Sequence, residues 1–188
     1  MIKKFDYYVP VRLVFGEGTL NRAGEMTAKY GKKAMIVTTG DFFKDSGLVG
    51  RLEAVLKGSG VDSVHFSKVD PNPLNTQIDA GAALAKAQGV DVFIGLGGGS
   101  AIDAAKGMAV ARGHDRPIWD FCIGKNVAAI TEKTYPIIAI TTTSGTGSEA
   151  TQWSVITNTS THQKPGIGSD YTFAKVAIVD PELLVSMP

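Results

Sequence analysis

The sequence predicts an α/β fold, a parallel sheet covered by helices on both faces, and three observations carry that prediction. Short apolar runs rich in branched residues recur along the 188 residues, as at KKAMIVTT (32–39) and VDVFIGL (90–96). Between them lie stretches whose apolar residues fall at helical spacing. The apolar runs barely alternate with polar residues, the pattern of strands buried on both sides and joined by right-handed crossovers.

The elements follow in order. Residues 32–39 form a strand, and the GDFF segment after it reads as a loop. In DSGLVGRLEAVLKGSG (45–60), Leu48, Leu52, Val55 and Leu56 share one face of a helix that ends on glycines. VDSVHF (61–66) is a second strand. The turn VDPNP (69–73) leads into LNTQIDAGAALAKAQG (74–89), a helix with Ile78, Ala82, Leu84 and Ala85 at helical spacing and Gly89 as its C-terminal cap. VDVFIGL is a continuous apolar strand that GLGGGSAIDAAK (95–106) turns at once into a helix. YPIIAITTT (135–143) and AKVAIVD (174–180) add two more strands. No internal repeat or low-complexity linker divides the chain, so residues 1–188 read as one domain.

Composition excludes several classes. A net charge of +1 with dispersed Lys and Arg leaves no nucleic-acid footprint. The start, MIKKFDYYVP, lacks an apolar core of signal-peptide length, and no run is long enough to span a membrane. The single cysteine, Cys122, excludes an internal disulfide and a Cys-x-x-Cys zinc site, and a cytoplasmic setting is expected.

The glycine-rich stretch 95–106 sits where a parallel strand becomes a helix. There the first helical N–H groups are unpaired and the dipole is positive, and glycines let a ligand approach without a Cβ in the way. Phosphate suits that arrangement best. Ser100 and Asp103 have the spacing of a capping-box-like pair at the helix start. The P-loop signature is not met, because Lys106 lies too far along the helix. The dinucleotide fingerprint G-x-G-x-x-G is nearly met by Gly95 and Gly97, but Ser100 occupies its third glycine position. The second candidate stretch, TTTSGTGSEAT (141–151), places hydroxyls and glycines at the carboxyl end of a buried strand, where α/β sheets hold ligands.

GGGSAIDAAK, the PNP turn at 71–73, TTTSGTGSEAT and VDPELLVSMP at 179–188 together resemble the iron-dependent (group III) alcohol dehydrogenases, from FGEGTL (15–20) to Pro188. The resemblance implies a Rossmann-like dinucleotide-binding domain, followed in complete members by an all-helical domain that carries the metal. It implies that Gly97, Gly98, Gly99 and Ser100 hold the cofactor pyrophosphate, with Asp103 chiefly a helix-start and loop-positioning group. Asn72 would lie beside the adenosine half. Thr142, Thr143 and Thr151 would line the path to the nicotinamide, with the backbone near Trp153 adding contacts. Lys164 would reach the ribose and phosphate region, and Leu183 would pack near the adenosine.

Complete members bind iron or another divalent metal with an aspartate and three histidines, the first two soon after the SMP segment, and this sequence stops at Pro188. His65, His114 and His162 match none of those positions. The expectation is a cofactor-binding portion, oxidoreductase by family, with no catalytic residue and no metal ligand of its own and therefore inactive in isolation. The small alcohol or aldehyde substrate belongs to a complete enzyme. NAD-preferring members often carry Asp directly after the Val-Thr of the strand that reads IVTTGD (36–41) here. Here Thr39 and Gly40 stand there, with Asp41 displaced, so NADP(H) is expected over NAD(H). Glycerol dehydrogenase, dehydroquinate synthase and a non-enzymatic nucleotide-binding module are the alternatives. Finally, FDYYVPVRLVF (5–15) reads as an edge strand able to pair with its twin, as relatives are similar in doing, so a homo-oligomer is expected.

Overall fold

The protein is described here from a computed structural model that covers residue 4, residue 6, residues 8–122 and residues 127–185. Six strands form one sheet: β1 (Arg12–Phe15), β2 (Lys33–Val37), β3 (Asp62–Phe66), β4 (Val92–Gly97), β5 (Ile137–Thr141) and, after a short hairpin, β8 (Val176–Val179). Their order is β1-β8-β5-β4-β2-β3, and every pair is parallel. The helices are α1 (Ala23–Thr27), α2 (Phe42–Asp45), α3 (Leu48–Gly58), α4 (Asn75–Gln88) and α5 (Gly99–His114). The hairpin is antiparallel, β6 (Ser154–Val155) against β7 (Gly166–Ile167).

Successive strand residues serve opposite cores. Met35, Val37, Phe93, Ile137 and Ala139 join one buried cluster with Ile78 and Ala85 of α4 and Ile102 and Met108 of α5. Ala34, Ile36, Val92, Ile94, Leu96, Ile138, Ile140 and Ile178 join the other, with Met26 of α1 and Leu52 and Leu56 of α3. Each fully buried Leu or Ile contributes about 1.5–3 kcal/mol of transfer free energy. This two-sided burial is why the strands read as unbroken apolar runs. Among the described residues no helix is long and apolar enough to cross a membrane.

Two expectations need correction. The GDFF segment is not simply a loop, since Phe42–Asp45 forms a helical turn, and the single helix expected over 45–60 begins only at Leu48. Gly47, at φ 80°, separates the two pieces by a left-handed step that a helix cannot continue through. The hairpin β6–β7 was not anticipated, because two-residue strands carry no periodicity to read. Of the N-terminal stretch 5–15, residues 12–15 form the expected edge strand, pairing in parallel with β8. Residues 5 and 7, and the SMP segment at 186–188, lie outside the described residues.

One buried carboxylate ties the far end of the sheet together. Asp180, fully buried just beyond β8, accepts from the backbone N–H of Gly18 (3.2 Å), Leu20 (2.9 Å) and Glu182 (3.1 Å). It thus joins the FGEGTL loop to the VDPELL turn, two of the stretches that carry the family resemblance.

Candidate functional site

The chain leaves β2 toward β3 and leaves β4 toward β5 on the opposite side. A crevice therefore opens at the carboxyl ends of β2 and β4, the topological switch point at which parallel α/β sheets hold ligands. The loops that follow β2, β4 and β5 border it.

The glycines at the end of β4 and just beyond it divide into two pairs by cause. A Cβ on Gly95 would stand 2.7 Å from Ile102 Cα, so Gly95 lets α5 lie close against β4. Gly97 has φ 146°, and its Cβ would stand 2.9 Å from Ala101 Cβ. Gly98 and Gly99 instead face the loop after β5, where a Cβ would come within 3.0 Å of Thr143 Oγ1 and 3.1 Å of Ser148 Oγ respectively. Helix α5 starts at Gly99, so the N–H groups of its first turn lack intrahelical acceptors and point into this narrow space. The expected Ser100–Asp103 capping box does not form, because Ser100 lies inside the first turn. Its Oγ accepts from the N–H of Asn72 (3.0 Å), and Asp103 Oδ2 accepts from the N–H of Val155 (3.0 Å).

Several of the residues singled out in the sequence converge here. Asn72, in a left-handed conformation (φ 62°), accepts from Lys164 Nζ at 2.7 Å while its N–H binds Ser100, so three distant segments meet. Thr142 is buried, and its N–H donates to Gly97 O (3.1 Å), closing the β5 exit onto the β4 exit. Thr143 Oγ1 is buried beside Gly98 without any hydrogen-bond partner among the described residues. An orphaned hydroxyl across from a helix N-terminus fits a phosphate oxygen, and the glycine cradle leaves the backbone bare for it. The residues present therefore fit the phosphate portion of a dinucleotide.

The flanks are less uniform. Thr39 forms an isolated bridge with Lys68, and Gly40 (φ 63°) has open space where a Cβ would stand. Leu183 is only 7% exposed and belongs to the apolar cluster that includes residues of α1 and α3.

Two groups near the crevice were missed as functional candidates. Lys106 of α5 is fully buried, and its ammonium donates to the carbonyls of Ser148 (2.8 Å), Thr151 (2.7 Å) and Trp153 (2.8 Å). Burial pulls its pKa down to about 8, opposed by the nearby carboxylates of Asp103 and Glu149. Burial likewise raises the pKa of Asp103, opposed by the Val155 N–H and by Lys106. The signal was a lone charge at the centre of the apolar stretch AAKGMAVA. The second group is His65, whose Nε2 lies 2.8 Å from Thr38 Oγ1, which in turn donates to Gly40 O (2.9 Å), bracing the turn after β2. Burial lowers the pKa of His65 from its ordinary 6.5, against the attraction of Glu53 and Asp41. As pH falls through that ordinary value the unfolded chain takes up its proton first, so the contribution of His65 to stability starts to fall there and is lost once the pH passes its lowered folded value.

A metal does not fit the described residues. Among the described residues no group of three or more His, Cys, Asp and Glu side chains is disposed to hold one. The histidines are engaged elsewhere or isolated: His65 with Thr38, His114 with Val110 O and Thr131, and His162 in a left-handed turn. The concavity between the C-terminal ends of α4 and α5, lined by Asp79, Lys86, Arg112 and Arg116, is no rival site. Its charges largely pair off as Lys86–Asp115 and Arg116–Asp120.

The family model of iron-containing alcohol dehydrogenase matches residues 10–181. NADH-dependent butanol dehydrogenase A of Clostridium acetobutylicum is 37% identical over 184 residues, covering 98% of this chain and 46% of that protein. A solved archaeal halo-thermophilic alcohol dehydrogenase from a Red Sea brine pool superposes with a TM-score of 0.94 at 44% identity, covering 100% of this chain and 49% of that one. Sulfoacetaldehyde reductase from Bifidobacterium kashiwanohense, solved in complex with NAD+, superposes with a TM-score of 0.89 at 37% identity, over 99% of this chain and 48% of that one. The chain thus spans about half the length of the relatives it matches.

Proposed function

The chain belongs to the iron-containing alcohol dehydrogenase family, and from that premise we propose that residues 1–188 form the dinucleotide-binding domain of an NAD(P)-dependent alcohol dehydrogenase working in the cytoplasm. One observation carries the proposal: at the N-terminus of α5 the bare backbone of Gly98 faces the orphaned Thr143 hydroxyl, and that of Gly99 faces Ser148. Gly97–Ser100 and Thr143 bind the pyrophosphate, while Asn72, Lys164 and Leu183 serve the adenosine and ribose side. Thr142, Thr151 and the backbone at Trp153 orient the nicotinamide. Hydride exchange with the carbon of a small alcohol or aldehyde is the chemistry a bound nicotinamide supplies. The chain's own residues bind, orient and exclude water around it, and no step is assigned to a metal.

The finer part of the proposal is a preference for NADP(H). Thr39 and Gly40 follow β2 with open space above Gly40, and Asp41 stands one residue further on, at the start of α2. A carboxylate directly after the strand would repel a 2′-phosphate, and none is there. The 188-residue polypeptide, titrated with both cofactors by calorimetry, is expected to bind NADPH more tightly than NADH. Equal or tighter NADH binding overturns the preference, and no binding of either overturns the domain assignment. The same polypeptide is expected to show no alcohol-dependent cofactor reduction, with or without added ferrous iron. Turnover at a rate typical of dehydrogenases would show that the active site has been misplaced.

Self-association through β1 is the second part. Arg12–Phe15 is an edge strand whose Leu13 and Phe15 are 62% and 69% exposed on a face that no helix covers, while Val14 alone points into the core. An apolar edge of this kind is a template for pairing with a second copy. Light scattering at micromolar concentration is expected to give a dimer that Leu13→Lys dissociates, and a monodisperse wild-type monomer overturns this part.

A further inference from the structure

Residues 148–153 make a single helical turn at Ser148–Ala150 and then run in irregular backbone, yet three of their carbonyls converge on one point. Converging carbonyl dipoles repel one another unless a cation lies between them. Lys106 supplies that cation with all three of its protons, and it has no exposure to solvent through which water could substitute. One turn earlier on α5, Asp103 holds the next two residues: its carbonyl accepts from Ser154 Oγ (2.7 Å) and its Oδ2 from Val155 N–H (3.0 Å). Five hydrogen bonds from two residues of one helix thus hold the segment 148–155. That segment forms the crevice wall facing the glycine turn, with Ser148 Oγ 3.1 Å from where a Gly99 Cβ would stand.

We propose that Lys106 is a positioning residue for dinucleotide binding, gathering the carbonyls of Ser148, Thr151 and Trp153 so that this wall closes over the far half of the ligand. The inference rests on the dinucleotide reading of the site. It assigns the lysine of GGGSAIDAAK to the shape of the opposite wall and not to the phosphates, which the start of α5 meets directly. Around the ammonium stand Asp103 from its own helix and Glu149 from the wall, with Lys164 also acting on Asp103. Glu149 Oε2 is itself buried without a hydrogen-bond partner among the described residues, and Lys106 lies close enough to interact with it.

The test compares ligands that use different amounts of this wall. ADP reaches the glycine turn and the adenosine side, and the full dinucleotide also reaches residues 151–153. Lys106→Met keeps the length and removes the charge and all three donors. It should weaken the dinucleotide by about tenfold to a hundredfold, the range for lost hydrogen bonds to a charged group, while ADP affinity changes less than about twofold. Lys106→Arg, which keeps the charge, should recover part of the loss. Ser154→Ala removes one bond at the other end of the clasp and should produce a smaller loss, about threefold, of the same selective kind. If Lys106→Met fails to fold, Ser154→Ala decides alone. Equal losses for both ligands, or no loss for the dinucleotide, overturn the proposal. Failure of the wild-type protein to bind ADP or dinucleotide would count against the dinucleotide reading instead.

Discussion

Replacing Gly98 with Val is expected to abolish dinucleotide binding while leaving the fold intact. The backbone at Gly98 is extended, with φ −81° and ψ −168°, a conformation that any L residue adopts, so the substitution adds bulk without backbone strain. The added Cβ would stand 3.0 Å from Thr143 Oγ1, tighter than ordinary contact, and the two methyl groups beyond it would occupy the space between the glycine turn and the Thr-rich loop. That space is where a pyrophosphate meets the N–H groups of α5. Losing even two of those charge-assisted hydrogen bonds lowers affinity by about a hundredfold or more. Calorimetry should show no saturable binding of NADPH or NADH, and thermal unfolding should shift by no more than a few degrees.

Gly95→Ala is the informative contrast. Its Cβ would meet Ile102 Cα, a backbone atom that cannot swing aside, so this substitution should lower stability by pushing α5 off β4. If Gly98→Val bound dinucleotide within about threefold of wild type, the phosphate site would have to lie elsewhere.

This contrast also shows how far the sequence was legible. The stretch GLGGGS announced close approach, and the strand-to-helix turn was right, but the residues do not say what approaches. At Gly95 and Gly97 the neighbour is helix α5 itself; at Gly98 and Gly99 it is the facing loop. Strand and helix identities were readable because two-sided burial leaves an unbroken apolar pattern in β4 and β5, and 3.6-residue spacing survives in α4. The boundary at Gly47 was not, since a left-handed glycine inside a helical pattern looks like any other helical glycine. The convergence of Asn72, Ser100 and Lys164 joins residues 28 and 92 positions apart, and nothing local encodes it. Lys106 is the sharpest case. Its place along the helix excluded a P-loop, but its three carbonyl partners lie 42 to 47 residues away and only the folded chain brings them to it.

Asp180→Ala should be the most destabilising single substitution on the far side of the sheet. The carboxylate is fully buried and accepts three backbone N–H groups, at Gly18, Leu20 and Glu182. Alanine leaves all three donors without that partner, and a buried donor left unsatisfied costs about 1–3 kcal/mol. Water entering the vacated space will satisfy some of them, so a net loss of about 3 kcal/mol is expected. For a chain of this size that lowers the unfolding temperature by about 6–12 °C. Asp180→Asn keeps one carbonyl acceptor, can satisfy either the Leu20 N–H or the Gly18 and Glu182 pair, and should fall between the two. Urea unfolding provides the check, with the midpoint shifted and the slope unchanged if the native state is otherwise intact. A stability loss below about 0.5 kcal/mol for the alanine variant would mean that the loops at 16–20 and 180–183 hold each other by apolar contacts alone, through Leu20 and Leu183, with the carboxylate dispensable.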